Sequence, residues 1–256
     1  MCVEATRFAT LAPDIAAGNE ITAEFVDLTD VLGKTRQRSR TQVKFGQLVL
    51  SSPSQGPKTA LVAVKYTSPT LAAREYGAMT AFNASSLGGE GDVTFTPQGF
   101  MRGQDGKVGL VTSYKMDALT ADTILWEEGR SEQQIAAALS HAALSAAELH
   151  ISGKTHGDFQ PKNVAVTLSG NWYTDLEGAA EFTPVLGAYD ADTRRRVAED
   201  LHTFLNYRGT TSPESIVAEY FTVPYLNSIA MSDLPEGIAP SYDAIMMMVR
   251  EPQHAR

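Results

Sequence analysis

Apolar and polar positions alternate through much of the first half of the chain. The stretches "ITAEFVDL" (21–28), "QVKFGQLVLSS" (42–52) and "TALVAVKY" (59–66) are rich in β-branched and aromatic residues, and Gly, Pro and Ser punctuate between them, which predicts strands. The period then changes. In "SPTLAAREYGAMTAFNASS" (68–86), Leu71, Glu75, Met79 and Phe82 recur at helical spacing, with Ser68 as N-cap and Pro69 at the first helical position. Two more strands, "DVTFTPQGFM" (92–101) and "KVGLVTSY" (107–114), flank the turn-forming "RGQDG". The second half predicts helices over 131–153, from a Ser131 cap to a Gly153 stop, and over 190–207, 212–230 and 242–250. The fold class expected is α+β: an antiparallel sheet with one helix, followed by a mostly helical lobe.

One polar residue breaks the apolar stripe of the first helix. Burying Glu75 is costly without a cationic partner. The candidate is Lys65, at the end of "LVAVK", which period two places on the same strand face as Leu61 and Ala63.

Composition narrows the classes. With 43% hydrophobic and 20% charged residues the chain reads as globular, and its apolar runs fall far short of the ~20 residues a bilayer span needs, so no membrane partner is expected. A net charge of −9 argues against nucleic acid, whose phosphates are held by Lys and Arg. A local exception is "GKTRQRSRTQVK" (33–44), which reads either as a solvated hairpin or as cations (Lys34, Arg36, Arg38, Arg40, Lys44) near phosphates. The lone Cys2 and a start without a signal-peptide pattern point to the cytoplasm.

The stretch "THGDFQPKNVAV" (155–166) follows the predicted helix 131–153 and carries His156, Asp158 and Asn163 in the pattern H-x-D-x-x-x-x-N. Twelve positions past Asn163, "NWYTDLEGA" supplies Asp175, and the intervening "VAVTLSGNWYT" fits a hairpin that brings Asn163 and Asp175 together. In order and spacing this resembles the catalytic loop and metal-binding Asp of the protein-kinase-like superfamily. His-Gly-Asp is closest to its aminoglycoside-phosphotransferase and small-molecule-kinase branch.

The resemblance implies a two-lobed fold, with a nucleotide-binding lobe at 1–113 and a catalytic, acceptor-binding lobe at 114–256, and ATP in the cleft between them. It implies ATP and Mg²⁺ as cofactors, and transfer of the γ-phosphate to a hydroxyl-bearing acceptor. Asp158 is then the catalytic residue that orients the acceptor hydroxyl. Asn163 and Asp175 are the metal ligands, Lys65 holds the α/β-phosphates, and Glu75 fixes Lys65. Ser113, Tyr114, Lys115 and Met116 form the adenine-binding hinge, and Lys162 neutralises the γ-phosphate or is an ordinary surface cation. His156 does scaffold work, and Asp200 resembles the helical Asp that anchors the loop backbone. His141, His150 and His202 read as core or surface residues, without zinc spacing.

Departures from the pattern matter. No G-x-G-x-x-G lies between the first strands, only Gly33 and the basic tip. Asp175 is followed by "LEG", so Glu177 either assists metal or substrate or is a turn residue. Asp200 comes only 25 positions after Asp175, which leaves little room for a regulated activation segment. A small-molecule acceptor is favoured. Acidic residues (Glu127, Glu128, Glu181, Asp190, Asp192) would attract a cationic one, or serve solubility. The alternatives are an atypical Ser/Thr protein kinase, autophosphorylating on Thr35, Ser39 or Thr41, and a pseudokinase binding module.

Overall fold

Alternation of side chains across a pleated strand divides "LVAVK" into two faces, Val62 and Val64 on one and Leu61, Ala63 and Lys65 on the other. A computed structural model shows Val62 and Val64 fully buried, packed with Leu48, Leu50, Met101 and Val111 in one apolar cluster. It describes residues 3–4, 22–30, 36–37, 42–52, 55–84, 97–103, 106–114, 119–126, 129–167, 170–182, 190–207, 212–232 and 237–250. The chain divides into two compact units, Met1–Ala84 with Phe95–Met116, and Ser85–Thr94 with Asp117–Arg256. The architecture is α+β, with an antiparallel sheet in the first unit.

In the first unit the strands are β1 (Val3–Glu4), β2 (Thr22–Asp27), β3 (Arg36–Gln37), β4 (Gln42–Ser52), β5 (Gln55–Thr67), β6 (Pro97–Arg102) and β7 (Val108–Ser113). Their order is β1-β6-β7-β5-β4-β2, with β3 also on β4. β5 begins earlier than the 59–66 expected from composition. Gly56 and Pro57 are accommodated where the β4–β5 register slips between Leu50 and Ser52, the kind of irregularity that tolerates a residue lacking an N–H.

Helix α1 (Pro69–Ala84) starts as its sequence dictates: Ser68 Oγ accepts from Leu71 N–H at 3.4 Å, and Ser68 carbonyl from Ala72 N–H. Its buried face runs through Ala72, Glu75 and Met79, and Leu71 is 38% exposed. The expected stripe is therefore corrected by one position in the first turn, where Ala72 fills the contact. The side chain of Phe82 lies outside the described residues.

The second unit contains β8 (Leu119–Thr120), α2 (Ala121–Trp126), α3 (Glu132–Ile151), β9 (Lys154–Thr155), β10 (Val164–Thr167), β11 (Gly170–Tyr173), β12 (Ala180–Glu181), α4 (Ala191–Leu205), a long helical segment α5, and α6 (Tyr242–Arg250). Segment α5 is α-helical over Glu214–Val217, π-helical over Ala218–Thr222 and α-helical again over Val223–Ala230. Ser131 and Gln134 form a reciprocal capping box at the start of α3, and Gly153, at φ +77°, lets the chain turn away at its end. One face of α3 is lined with buried small residues (Ala136, Ala142, Ala143, Ala146, Ala147), which lets neighbouring elements approach closely. A run of rings, Phe159 on Phe204 (5.4 Å), Phe204 on Phe221 (5.1 Å) and Phe221 on Tyr225 (6.5 Å), joins the loop after β9 to α4 and α5. Among the described residues no helix is long and apolar enough to cross a membrane.

Candidate active site

Two pairings hold the loop 156–163 against the turn after β11. On one side, β10 and β11 form an antiparallel hairpin in the register Val164 to Tyr173. Just beyond its open end, Thr174 N–H donates to Asn163 carbonyl at 3.0 Å. Asn163 and Asp175 thereby leave the hairpin side by side. On the other side, β9 pairs with β12 (Thr155 opposite Ala180), and Phe182 N–H donates to Gly153 carbonyl at 2.7 Å. Between these ladders, Gly157 crosses the Leu176–Gly178 3₁₀ turn so closely that a Cβ at 157 would lie 2.2 Å from Gly178 carbonyl oxygen. Its φ of +76° also demands glycine. Gly in His-Gly-Asp is thus a steric requirement of the contact between the two loops.

Asp158, Asn163 and Asp175 are brought into one neighbourhood by this clamp. Asn163 is buried, and its Nδ2 donates both to Asp158 carbonyl (2.9 Å) and to Asp158 Oδ2 (3.0 Å). Both bonds use the side-chain nitrogen, so they leave the side-chain oxygen Oδ1 of Asn163 for another partner. Gln160 Nε2 donates to the other carboxylate oxygen, Asp158 Oδ1, at 2.6 Å. The Asp158 carboxylate is therefore held from both sides. Asp175 has φ +65° and ψ +45°, the only non-glycine residue of positive φ among the described residues. A left-handed backbone at a carboxylate is an uncommon, locally costly conformation that clusters at functional sites.

The loop backbone hangs on Asp200 in α4. Its Oδ2 accepts the His156 N–H at 2.7 Å and its Oδ1 the Gly157 N–H at 2.9 Å. Asp200 is itself buried, beside His150 of α3, whose Nε2 lies 3.4 Å from Oδ2 and whose Nδ1 lies 2.9 Å from the Tyr225 hydroxyl. His156 is fully buried among Phe159 and Tyr173, and its Nδ1 accepts from Asp158 N–H at 3.3 Å. Burial holds its imidazole below the ordinary histidine value, against the opposing pull of Asp200, Asp158 and Asp175. A neutral, packed His156 is a scaffold for the loop.

In the first unit, Lys65 Nζ donates to Glu75 Oε2 at 2.8 Å, with Glu75 2% and Lys65 17% exposed. Ser113 ends the β5–β7 ladder opposite Val62. Tyr114 N–H donates to Leu61 carbonyl at 3.0 Å, and its ring packs on Phe45, so this amide is engaged within the sheet. Lys115 and Met116 lie outside the described residues, as do Lys34, Arg38, Arg40, Glu127 and Glu128. Lys44 pairs with Asp27 across β2 and β4 at 2.8 Å, and the hydrogen bond from Lys44 leads the causes that hold the Asp27 carboxyl at about 2. Lys162 Nζ stands 5.6 Å from the centroid of the Tyr207 ring.

Two of the acidic residues are already occupied. Asp190 caps α4 by accepting Thr193 N–H at 2.6 Å, and Asp192 pairs with Arg195 and Arg196. Glu177 is half-buried in the turn after Asp175.

Gln160, and His150 with Tyr225, are site residues that motif reading passes over. Gln160 was legible only as the residue two after Asp158, and a lone His on a helix gives no sign of its partners.

The donor set suits a hard cation. Among the described residues no group of three or more His, Cys, Asp or Glu side chains is arranged around a metal. A cation held by the Asp175 carboxylate and the Asn163 side-chain oxygen would complete its shell with water or ligand oxygens, the habit of Mg²⁺. No family model and no curated protein matches the chain.

Proposed function

We propose that this chain is an ATP-dependent phosphotransferase of kinase-like, two-lobed fold that moves the γ-phosphate to the hydroxyl of a small molecule. The observation that carries the reading is the clamp joining Asp158, Asn163 and Asp175: an oriented carboxylate, an amide oxygen and a second carboxylate on two loops stitched together. The Lys65–Glu75 pair supports it, because burying a carboxylate merely to fix a lysine is seldom worthwhile unless the ammonium is needed in one place.

In this reading Asp158, fixed by Gln160 and Asn163, orients the acceptor hydroxyl and receives its proton. The hydroxyl oxygen bonds to the γ-phosphorus as the bond to the β–γ bridging oxygen breaks and ADP departs. Lys65 holds the α- and β-phosphates. Asn163 and Asp175 would hold Mg²⁺, which supplies positive charge against the phosphate oxygens. A small acceptor is favoured because the chain after Asp175 pairs with β9 by Ala180 and begins α4 at Ala191, which leaves few residues for a peptide-binding segment.

The test is transfer from γ-labelled ATP with Mg²⁺ to amino sugars, amino alcohols and model proteins, beside Asp158→Asn. Label on a small hydroxyl compound, with kcat reduced roughly 10²–10⁴-fold in the variant, is expected. Label confined to protein would replace the acceptor by a polypeptide. Nucleotide binding with no transfer to anything would replace catalysis by a binding role.

A further inference from the structure

The buried chain behind the loop has a direction that its chemistry determines. Both Asp200 oxygens already accept backbone N–H groups, so the His150 Nε2 that stands 3.4 Å from Oδ2 is the partner that donates. In the tautomer that carries its hydrogen on Nε2, Nδ1 is an acceptor. Tyr225 is fully buried, and desolvation pushes its phenol well above its ordinary value, so it keeps its hydrogen. The 2.9 Å contact is therefore Tyr225 O–H donating into His150 Nδ1.

Tyr225 lies three residues past the π turn Ala218–Thr222, where Val223 N–H reaches back five residues to Ala218 carbonyl. Such turns are rare, frequently mark functional positions, and insert one residue into the helix. The insertion rotates everything after it by about 100° relative to the first turn. Phe221 and Thr222 are consequently both buried, and Tyr225 faces α3.

We propose that Tyr225 is a remote positioning residue of the candidate site. Its hydroxyl fixes the tautomer of His150 in which Nε2–H steadies Asp200, and Asp200 in turn carries the His156 and Gly157 amides. The consequence for turnover rests on the phosphotransferase reading, but the hydrogen-bond relay does not.

The test is ¹⁵N NMR of the full chain. In the unmodified protein His150 should show a pyridine-type Nδ1 and a pyrrole-type Nε2; a pyrrole-type Nδ1 overturns the proposal with no variant needed. In Tyr225→Phe, the Nδ1 resonance should move toward that of an unbonded nitrogen. The His156 and Gly157 amides should exchange with solvent roughly tenfold faster, the effect of losing one ordinary hydrogen bond. Unchanged exchange at both amides in a folded Tyr225→Phe protein also overturns it. If phosphoryl transfer is found, Tyr225→Phe should lower kcat several-fold and leave the KM for ATP unaltered. If no transfer is found, the functional reading fails while the tautomer and exchange results still decide this one.

Discussion

Gly157 and Gly178 meet backbone to backbone, and this contact holds the loop bearing Asp158 to the turn that follows Asp175. Two costs fall on any side chain at 157: a left-handed φ of +76°, and a carbonyl oxygen 2.2 Å from where the Cβ would stand. Gly106 has a similar φ (+72°) but open space around it. Gly106→Ala should therefore destabilise by about 1 kcal/mol, the left-handed penalty alone, and Gly157→Ala by at least about 3 kcal/mol with the clash added. Urea unfolding of both variants measures the difference. Equal losses would mean that the loops part without cost.

The Lys65–Glu75 pair should respond asymmetrically. Glu75 is the more deeply buried partner, so removing Lys65 takes a 2.8 Å ammonium donor from a carboxylate that water hardly reaches. Removing Glu75 leaves a lysine that can turn toward water. Lys65→Met is expected to cost about 3 kcal/mol, and Glu75→Gln less than half of that. Denaturant midpoints of the two variants and of the double variant give the coupling. A larger loss for Glu75→Gln would invert the burial argument.

Acid should weaken the fold through His156. Its folded-state pKa is depressed, so as pH drops below about 6.5 the unfolded chain takes up the proton first. Stability present above that value is then progressively lost on acidification. Unfolding free energies followed from roughly pH 7.5 to 5 should fall, and His156→Gln should flatten the slope. An equal slope in the variant would assign the acid sensitivity to another group.

Gln160→Leu should separate stability from rate. The change removes a 2.6 Å donor to Asp158, and also a buried carbonyl oxygen that has no partner among the described residues. These offset, so the unfolding free energy should move by less than about 1 kcal/mol. The Asp158 carboxylate loses one of its two restraints, and kcat for phosphoryl transfer should fall roughly tenfold, as when an outer partner of a reactive group is lost. Unaltered kcat would show that Asn163 alone orients Asp158.

Much of this was legible in the chain before folding. Alternation at 59–66, the Ser131 cap and the Asp190 start mark elements that the structure contains within a few residues. The spacing of Asp158, Asn163 and Asp175 points to a hairpin, because eleven residues with a central Ser-Gly-Asn have few other ways to return. What stayed hidden depends on contacts between distant positions. Leu71 and Ala72 both suit the buried stripe of α1, and only packing chooses between them. The π turn in α5 leaves no mark in residue type, and the partnership of His150 with Tyr225 spans 75 positions. The glycine at 157 is visible, but its reason, the carbonyl of Gly178, is not.

Asp175 gives one more outcome. Its left-handed backbone suits glycine better than any residue with a side chain, so Asp175→Gly should raise the unfolding free energy by up to about 1 kcal/mol. The same change should abolish Mg²⁺-dependent transfer, and a destabilised Asp175→Gly protein would show that the carboxylate earns its place structurally.

In the phosphotransferase reading, foldability and chemistry pull in opposite directions at that position. A carboxylate on a perch that handedness disfavours thus makes stability and the proposed transfer separable at one residue, so that a single variant can gain the first while losing the second.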